Sequence, residues 1–144
     1  VIGRDDILDL IPHAGAMCLL DEVLNWDEGS VRCLSRRYRN PDNPMRRANG
    51  VLGTSCGIEI AAQAMAVHGR LSAGNSGAPA RGYLVSLRDV TLRAARLDTQ
   101  EGDLVVDAAR LMGDNQGATY NFTLSVQGVE LLSGRATVVL EAGA

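Results

Sequence analysis

A chain of 144 residues, 46% apolar but only 3% aromatic, has the size of one domain with a core of Leu, Val, Ile, Ala and Met, and it offers few rings on which nucleobases could stack. Its formal charge of -3, from 14 basic and 17 acidic residues spread along the chain, provides no basic tract for a phosphate backbone, so no nucleic-acid partner is expected. No apolar run approaches the roughly 18 residues that span a bilayer, and no charged segment leading into an apolar run opens the chain, so a single domain over 1–144, cytoplasmic and without a membrane partner, is expected.

Asp5 and Asp6 precede Ile7, Leu8, Leu10 and Ile11, and Pro12 follows, which predicts a short helix over 4–11 covering one end of the core. Strand-forming content runs over 17–26, the cluster Asp27-Glu28-Gly29-Ser30 reads as a turn, and 31–38 returns, giving a first hairpin. Residues 40–49, with two prolines, three asparagines and no periodicity, form a loop. The clearest helical signal spans 55–71: Ile58, Ala61, Ala62 and Met65 recur at i, i+3, i+4 and i+7. Ala64, Ala66 and Val67 leave that helix little polar face, as expected of one enclosed by a curved sheet. Thr54 or Ser55 is placed to cap it, and Gly57 weakens it intrinsically. A loop over 72–80 follows.

Everything beyond reads as sheet. Tyr83, Val85 and Leu87 alternate, then parity changes to Val90 and Leu92, which marks a bulge near Arg88 and Asp89. A strand over 103–112, a turn over 113–117, a cleanly alternating strand over 120–126, a tight turn at Gln127-Gly128 and a last strand over 132–140 complete the chain. This order is α+β, without the βαβ repeats of a dinucleotide fold. An antiparallel sheet of five or six strands curled around one long helix satisfies it, with free edges either covered or paired across a dimer.

The main candidate for chemistry is Glu59, among Gly57, Ile58, Ile60, Ala61 and Ala62. A carboxyl that loses hydration there has a raised pKa and can donate a proton; one facing solvent in a first helical turn is simply favoured by the helix dipole. Gln63, one turn further on, either orients that carboxyl or satisfies a buried backbone group. His13, in IPHAGAM between Pro12 and Gly15, carries an imidazole able to take a proton near neutral pH, or is structural. His68, nine residues from Glu59, faces away from it. Two histidines and scattered carboxylates predict no metal, and HExxH, CxxC, GxGxxG, Walker and GxSxG patterns are absent. Cys18, Cys33 and Cys56 lie far apart and read as buried thiols of a reducing compartment. Ser55 and Cys56 stand near a helix start, but nothing in the sequence fixes a base beside them.

IPHAGAMCLLDEV resembles the opening of the beta-hydroxyacyl carrier-protein dehydratases of fatty acid synthesis, and GIEIAAQAMAVHGRL resembles more closely the central helix of the hotdog dehydratases of aryl polyene synthesis. The resemblance implies a hotdog fold and a 3-hydroxyacyl-[acyl carrier protein] dehydratase without a cofactor. Residue by residue, it puts the helix carboxylate on Glu59, its AQA continuation on Ala62, Gln63 and Ala64, and the histidine of the PHxGxM corner on His13. The fatty-acid branch uses a His-Phe-Pro-Gly loop before the helix; here NPMRRANGVLG occupies that region, with Met45 near the expected histidine. The chemistry so implied has His13 as base, Glu59 as acid and backbone N–H groups around Gly53, Thr54 and Ser55 at the thioester oxygen, with the acyl chain along Ala62 and Met65. The pairs Arg36-Arg37 and Arg46-Arg47 then read either as solvated positions or as contacts for an acidic carrier protein or its phosphopantetheine phosphate. A homodimer, or a heterodimer with a related hotdog subunit, is expected. A hotdog thioesterase and a noncatalytic acyl-binding or partner subunit remain as alternatives.

Overall fold

Tyr120, Phe122, Leu124 and Val126 are buried, while Asn121, Thr123 and Ser125 between them are not, so this stretch lies against the core on one face only. The same alternation recurs at Leu104, Val106 and Ala108. The computed structural model describes residues 1–11, 17–73, 81–113 and 117–141. In chain order its elements are β1 (Ile2–Gly3), α1 (Arg4–Leu10), β2 (Glu22–Trp26), β3 (Ser30–Ser35), α2 (Gly57–Ser72), β4 (Arg81–Leu92), β5 (Leu104–Gly113), β6 (Gly117–Val126) and β7 (Val129–Glu141). Among the described residues the strands form one antiparallel sheet of seven in the order β1-β2-β3-β5-β6-β7-β4. It wraps around α2, which is the hotdog architecture; the strand beyond the expected six is the two-residue β1.

The helix meets the sheet through small and aliphatic side chains. Ile60, Ala61, Ala64, Met65 and Val67 belong to one core cluster with Leu104, Val106, Phe122, Leu124 and Leu132. Ile60, not Ile58, leads the buried face, and Ile58, Ala62 and Ala66 are half-buried. A Cβ on Gly57 would lie 2.7 Å from Leu124 Cδ2 and 2.9 Å from Leu132 Cδ2, so the absence of a side chain is what lets the helix start approach the sheet. Neither Thr54 nor Ser55 caps α2 through its side chain; a 3-10 turn, Thr54–Cys56, leads into it instead.

The turn signals hold in detail. Asp89 takes φ +53° where the β4–β7 register shifts between Arg88 and Thr91, so the bulge is where the parity change put it. Gln127 and Gly128 both have positive φ in the two-residue β6–β7 turn. Residues 17–21, expected as strand, are not strand: β2 begins at Glu22. Side chains hold the backbone there. The turn over 113–117 and the loop over 72–80 lie partly outside the described residues.

Candidate active site

Gln63 sits on the side of α2 that faces residues 17–20. It is fully buried, and its amide works in both directions: Oε1 accepts from Leu19 N at 2.9 Å, and Nε2 donates to Met17 O at 2.8 Å. The same Nε2 stands 3.4 Å from Glu59 Oε1, one turn back along the helix. Gln63 thus satisfies buried backbone groups of 17–19 and, with the same amide, contacts the Glu59 carboxyl. Arg4 Nη1 donates to Cys18 O at 2.8 Å and Leu20 O at 2.9 Å, Ser35 Oγ donates to Leu19 O, and Asp21 N donates to Leu34 O. With these partners 17–21 has no need of a ladder, which is why it departs from a strand. Pattern reasoning missed Arg4 and Ser35. The available signal was a cation in the first turn of a helix, the end at which positive charge is disfavoured.

The second feature is the start of the helix itself. Gly53 bridges to Arg96, Thr54 N donates to Ala95 O, Leu97 N donates to Leu52 O, and Leu52 N donates to Asp98 Oδ1, so 52–54 is fastened to 95–98. The Arg96 guanidinium and the Leu52 N–H hold the Asp98 carboxyl well below the usual carboxylate range. Beside this seam lies a cavity of about 460 Å³ lined by Arg47, Gly53, Thr54, Ser55, Leu92, Arg93, Ala94 and Ala95. Three of the sequence candidates, Gly53, Thr54 and Ser55, thus share one concavity, while further along α2 Gln63 meets Met17 and Leu19 and stands beside Glu59. Ala62 is half-buried beside Glu59, and Met65 belongs to the core cluster.

The four arginines divide. Arg36 pairs with Glu22 and Asp103, and Arg37 pairs with Asp21; both arginines are exposed, while Asp21 and Glu22 are half-buried. Arg46 donates to the carbonyls of Arg39, Asn40 and Gly50 and so closes its own loop. Arg47 turns toward the cavity.

His68 is fully buried near the far end of α2. Its Nε2 faces the Asp27 carbonyl at 2.8 Å, which can only accept, so in the neutral ring Nε2 carries the proton and Nδ1 accepts from the Tyr120 hydroxyl at 2.7 Å. Burial pushes its pKa down. Both nitrogens are occupied, as suits a structural role. Cys18 and Cys33 are buried free thiols, the latter pushed up to about 12 by burial, and Cys56 is half-buried. Among the described residues no cluster of metal-ligating side chains occurs, and no helix is long and apolar enough to cross a membrane. His13 lies outside the described residues.

The model of the ApeP-like family, described as ApeP dehydratase, matches residues 5–142. The dehydratase heterocomplex ApeI:P from Xenorhabdus doucetiae superposes with a TM-score of 0.84 at 24% identity, covering 94% of this chain and 91% of that one. Thioesterase HI1161 from Haemophilus influenzae gives a TM-score of 0.66 at 10% identity, covering 98% and 92% of the respective chains. A mutant of thioesterase PA1618 from Pseudomonas aeruginosa gives 0.61 at 13%, covering 88% and 84%. These structural likenesses speak to the fold. A search of curated proteins finds no significant match. With the family model spanning nearly the whole sequence, the chain belongs to the ApeP-like family and is a hotdog-fold dehydratase.

Proposed function

We propose that the protein removes water from a 3-hydroxyacyl thioester borne by an acyl carrier protein, with His13 as the base and Glu59 as the acid. The observation that carries this reading is the Gln63 clamp. It fastens Met17, the last residue of the IPHAGAM corner, and Leu19 just beyond it to the helix turn that bears Glu59. Met17 is four positions beyond His13, so the chain keeps the two within about 14 Å. An imidazole on that corner takes the C2 proton, and the electron pair it leaves develops as enolate charge on the thioester oxygen. Collapse of the enolate expels the C3 hydroxyl, which receives a proton from Glu59 and departs as water, leaving the trans-2-enoyl thioester. The helix-start cavity at Gly53, Thr54 and Ser55 receives the carbonyl.

The carrier contact falls on Arg36 and Arg37, which stand exposed, since Arg46 is bound to its own loop. A related hotdog subunit pairs with the β4 edge; the solved ApeI:P assembly is itself a heterocomplex. The test is mass spectrometry of products from a panel of 3-hydroxyacyl carrier-protein thioesters, run with the chain alone and with a related hotdog subunit. Loss of water without release of thiol is expected, and Glu59→Gln and His13→Ala should each lower turnover at least about 100-fold in folded protein. Free acid and thiol would instead mean a thioesterase. Near-normal turnover in either folded variant would remove that residue from its role.

A further inference from the structure

The cavity at the helix start holds a cation that the mechanism above does not use. Arg93, which also lines it, is paired with Glu130. Among the described residues the Arg47 side chain has no hydrogen bond or ion pair, unlike Arg32, Arg36, Arg37, Arg46, Arg93 and Arg96. One of its Nη atoms lies 3.8 Å from the place a Gly53 Cβ would take, so the guanidinium rests against the chain that leads into the helix. A second observation points to a missing partner at the same place. Thr54 is 2% exposed and lines the cavity, and its hydroxyl is buried without a hydrogen bond. A buried hydroxyl left unpaired is unfavourable, and it is satisfied when a polar group of a ligand arrives.

The spacing suits the thioester carbonyl. Ser55, in the 3-10 turn on the cavity wall, runs directly into α2, and Glu59 stands in the first turn of that helix. The carbonyl oxygen and the C3 hydroxyl of one acyl chain are four bonds apart, so an oxygen held beside Arg47 and Ser55 directs the hydroxyl along the helix start toward Glu59. We infer that Arg47 touches the thioester oxygen and stabilises the negative charge that develops there. The inference rests on the dehydration reading and adds to it the group that meets the enolate. As the C2–H bond breaks, its proton passes to the base and its electrons move through C1–C2 onto the oxygen beside the guanidinium; as C3–O breaks they return to form the C2–C3 double bond. Arginine stays protonated throughout, so it supplies charge and donors and exchanges no proton.

Arg47→Gln in the full chain should lower kcat about 100-fold, the scale of losing one oxyanion donor, with KM changed by less than about threefold. Arg47→Lys, which keeps the charge and loses the fork, should fall between. A second readout is independent of turnover: infrared spectra of a saturated acyl-pantetheine thioester carrying carbonyl-13C. Bound to the wild-type chain its C=O stretch should shift to lower frequency than in water, and Arg47→Gln should abolish the shift. Unchanged kcat in Arg47→Gln, a rise in KM alone, or a carbonyl shift that survives the substitution would each overturn the assignment. A shift lost in Arg47→Gln without any dehydration by the wild-type chain would uphold the contact and remove the elimination chemistry instead.

Discussion

Side chains of equal prominence in the sequence have opposite duties once their partners are known. Glu59 and His68 lie on the same helix, and their burial and hydrogen-bond partners separate them. Gln63 ties Glu59 to residues 17–19, whereas the two nitrogens of His68 are taken by Tyr120 and the Asp27 carbonyl. That difference yields a pH dependence. The folded pKa of His68 is lowered by burial, so the unfolded chain binds the proton more readily; the stability that neutral His68 contributes is complete above the unfolded value near 6.5 and is lost as pH falls through it toward the lower folded value. Urea unfolding between pH 7.5 and 5 should show stability falling for the wild type and a shallower fall for His68→Gln. Equal slopes would mean that His68 does not carry the linkage. Asp98, whose pKa is depressed, acts in a separate window, with its contribution present above about pH 4 and lost below it. The carboxyl and the amide of the candidate site are visible in the helix motif because their spacing is local. Arg4 and Ser35 were not, because their partners lie 14 to 16 residues away and no periodicity links a guanidinium or hydroxyl to a distant carbonyl.

At the scale of elements the readable parts are those in which burial on one face imposes a period. Strands β5, β6 and β7, helix α2 and the Asp89 bulge follow from that alone, and the Gln127-Gly128 turn from its residue types. Residues 17–21 have strand composition without strand structure, because composition cannot tell whether a ladder or side chains will satisfy the backbone. Gly57 is a similar case. Propensity alone treats it as a weakness worth about 1 kcal/mol, yet Leu124 and Leu132 press where its Cβ would be. Gly69, three turns further along α2, has nothing within 4 Å of that position. The two substitutions should therefore have opposite signs. Gly69→Ala should stabilise by roughly 0.5–1 kcal/mol, and Gly57→Ala should destabilise by about 1–3 kcal/mol as buried leucines are displaced. Urea midpoints at constant slope measure both; a stabilised Gly57→Ala would mean the leucines yield easily and the helix is not seated as closely as its glycine suggests.

For the whole molecule, the two ends of the sheet are unlike. One end is β1, a two-residue strand followed at once by α1, which is too short to recruit another chain. The other is β4, twelve residues long, with Leu84, Val85, Leu87, Val90 and Leu92 exposed. A long apolar edge interrupted only by the bulge at Arg88 and Asp89 lacks the usual protection against pairing, so a second hotdog chain is expected there. The same strand ends at Leu92, which lines the helix-start cavity, so a chain docked on β4 would border the space in which Arg47 and Thr54 lie. Assembly and catalysis should accordingly fail together. Replacing Val85 and Leu87 with lysine leaves the core positions untouched and places two charges on the edge. Light scattering should then report one chain where the parent protein, alone or mixed with a related hotdog subunit, reports two, and turnover should fall with the loss of mass. A parent protein that stays at the mass of one chain under both conditions would rule out the β4 pairing. Dissociation of the variant with full turnover would show instead that the cavity is complete within a single chain.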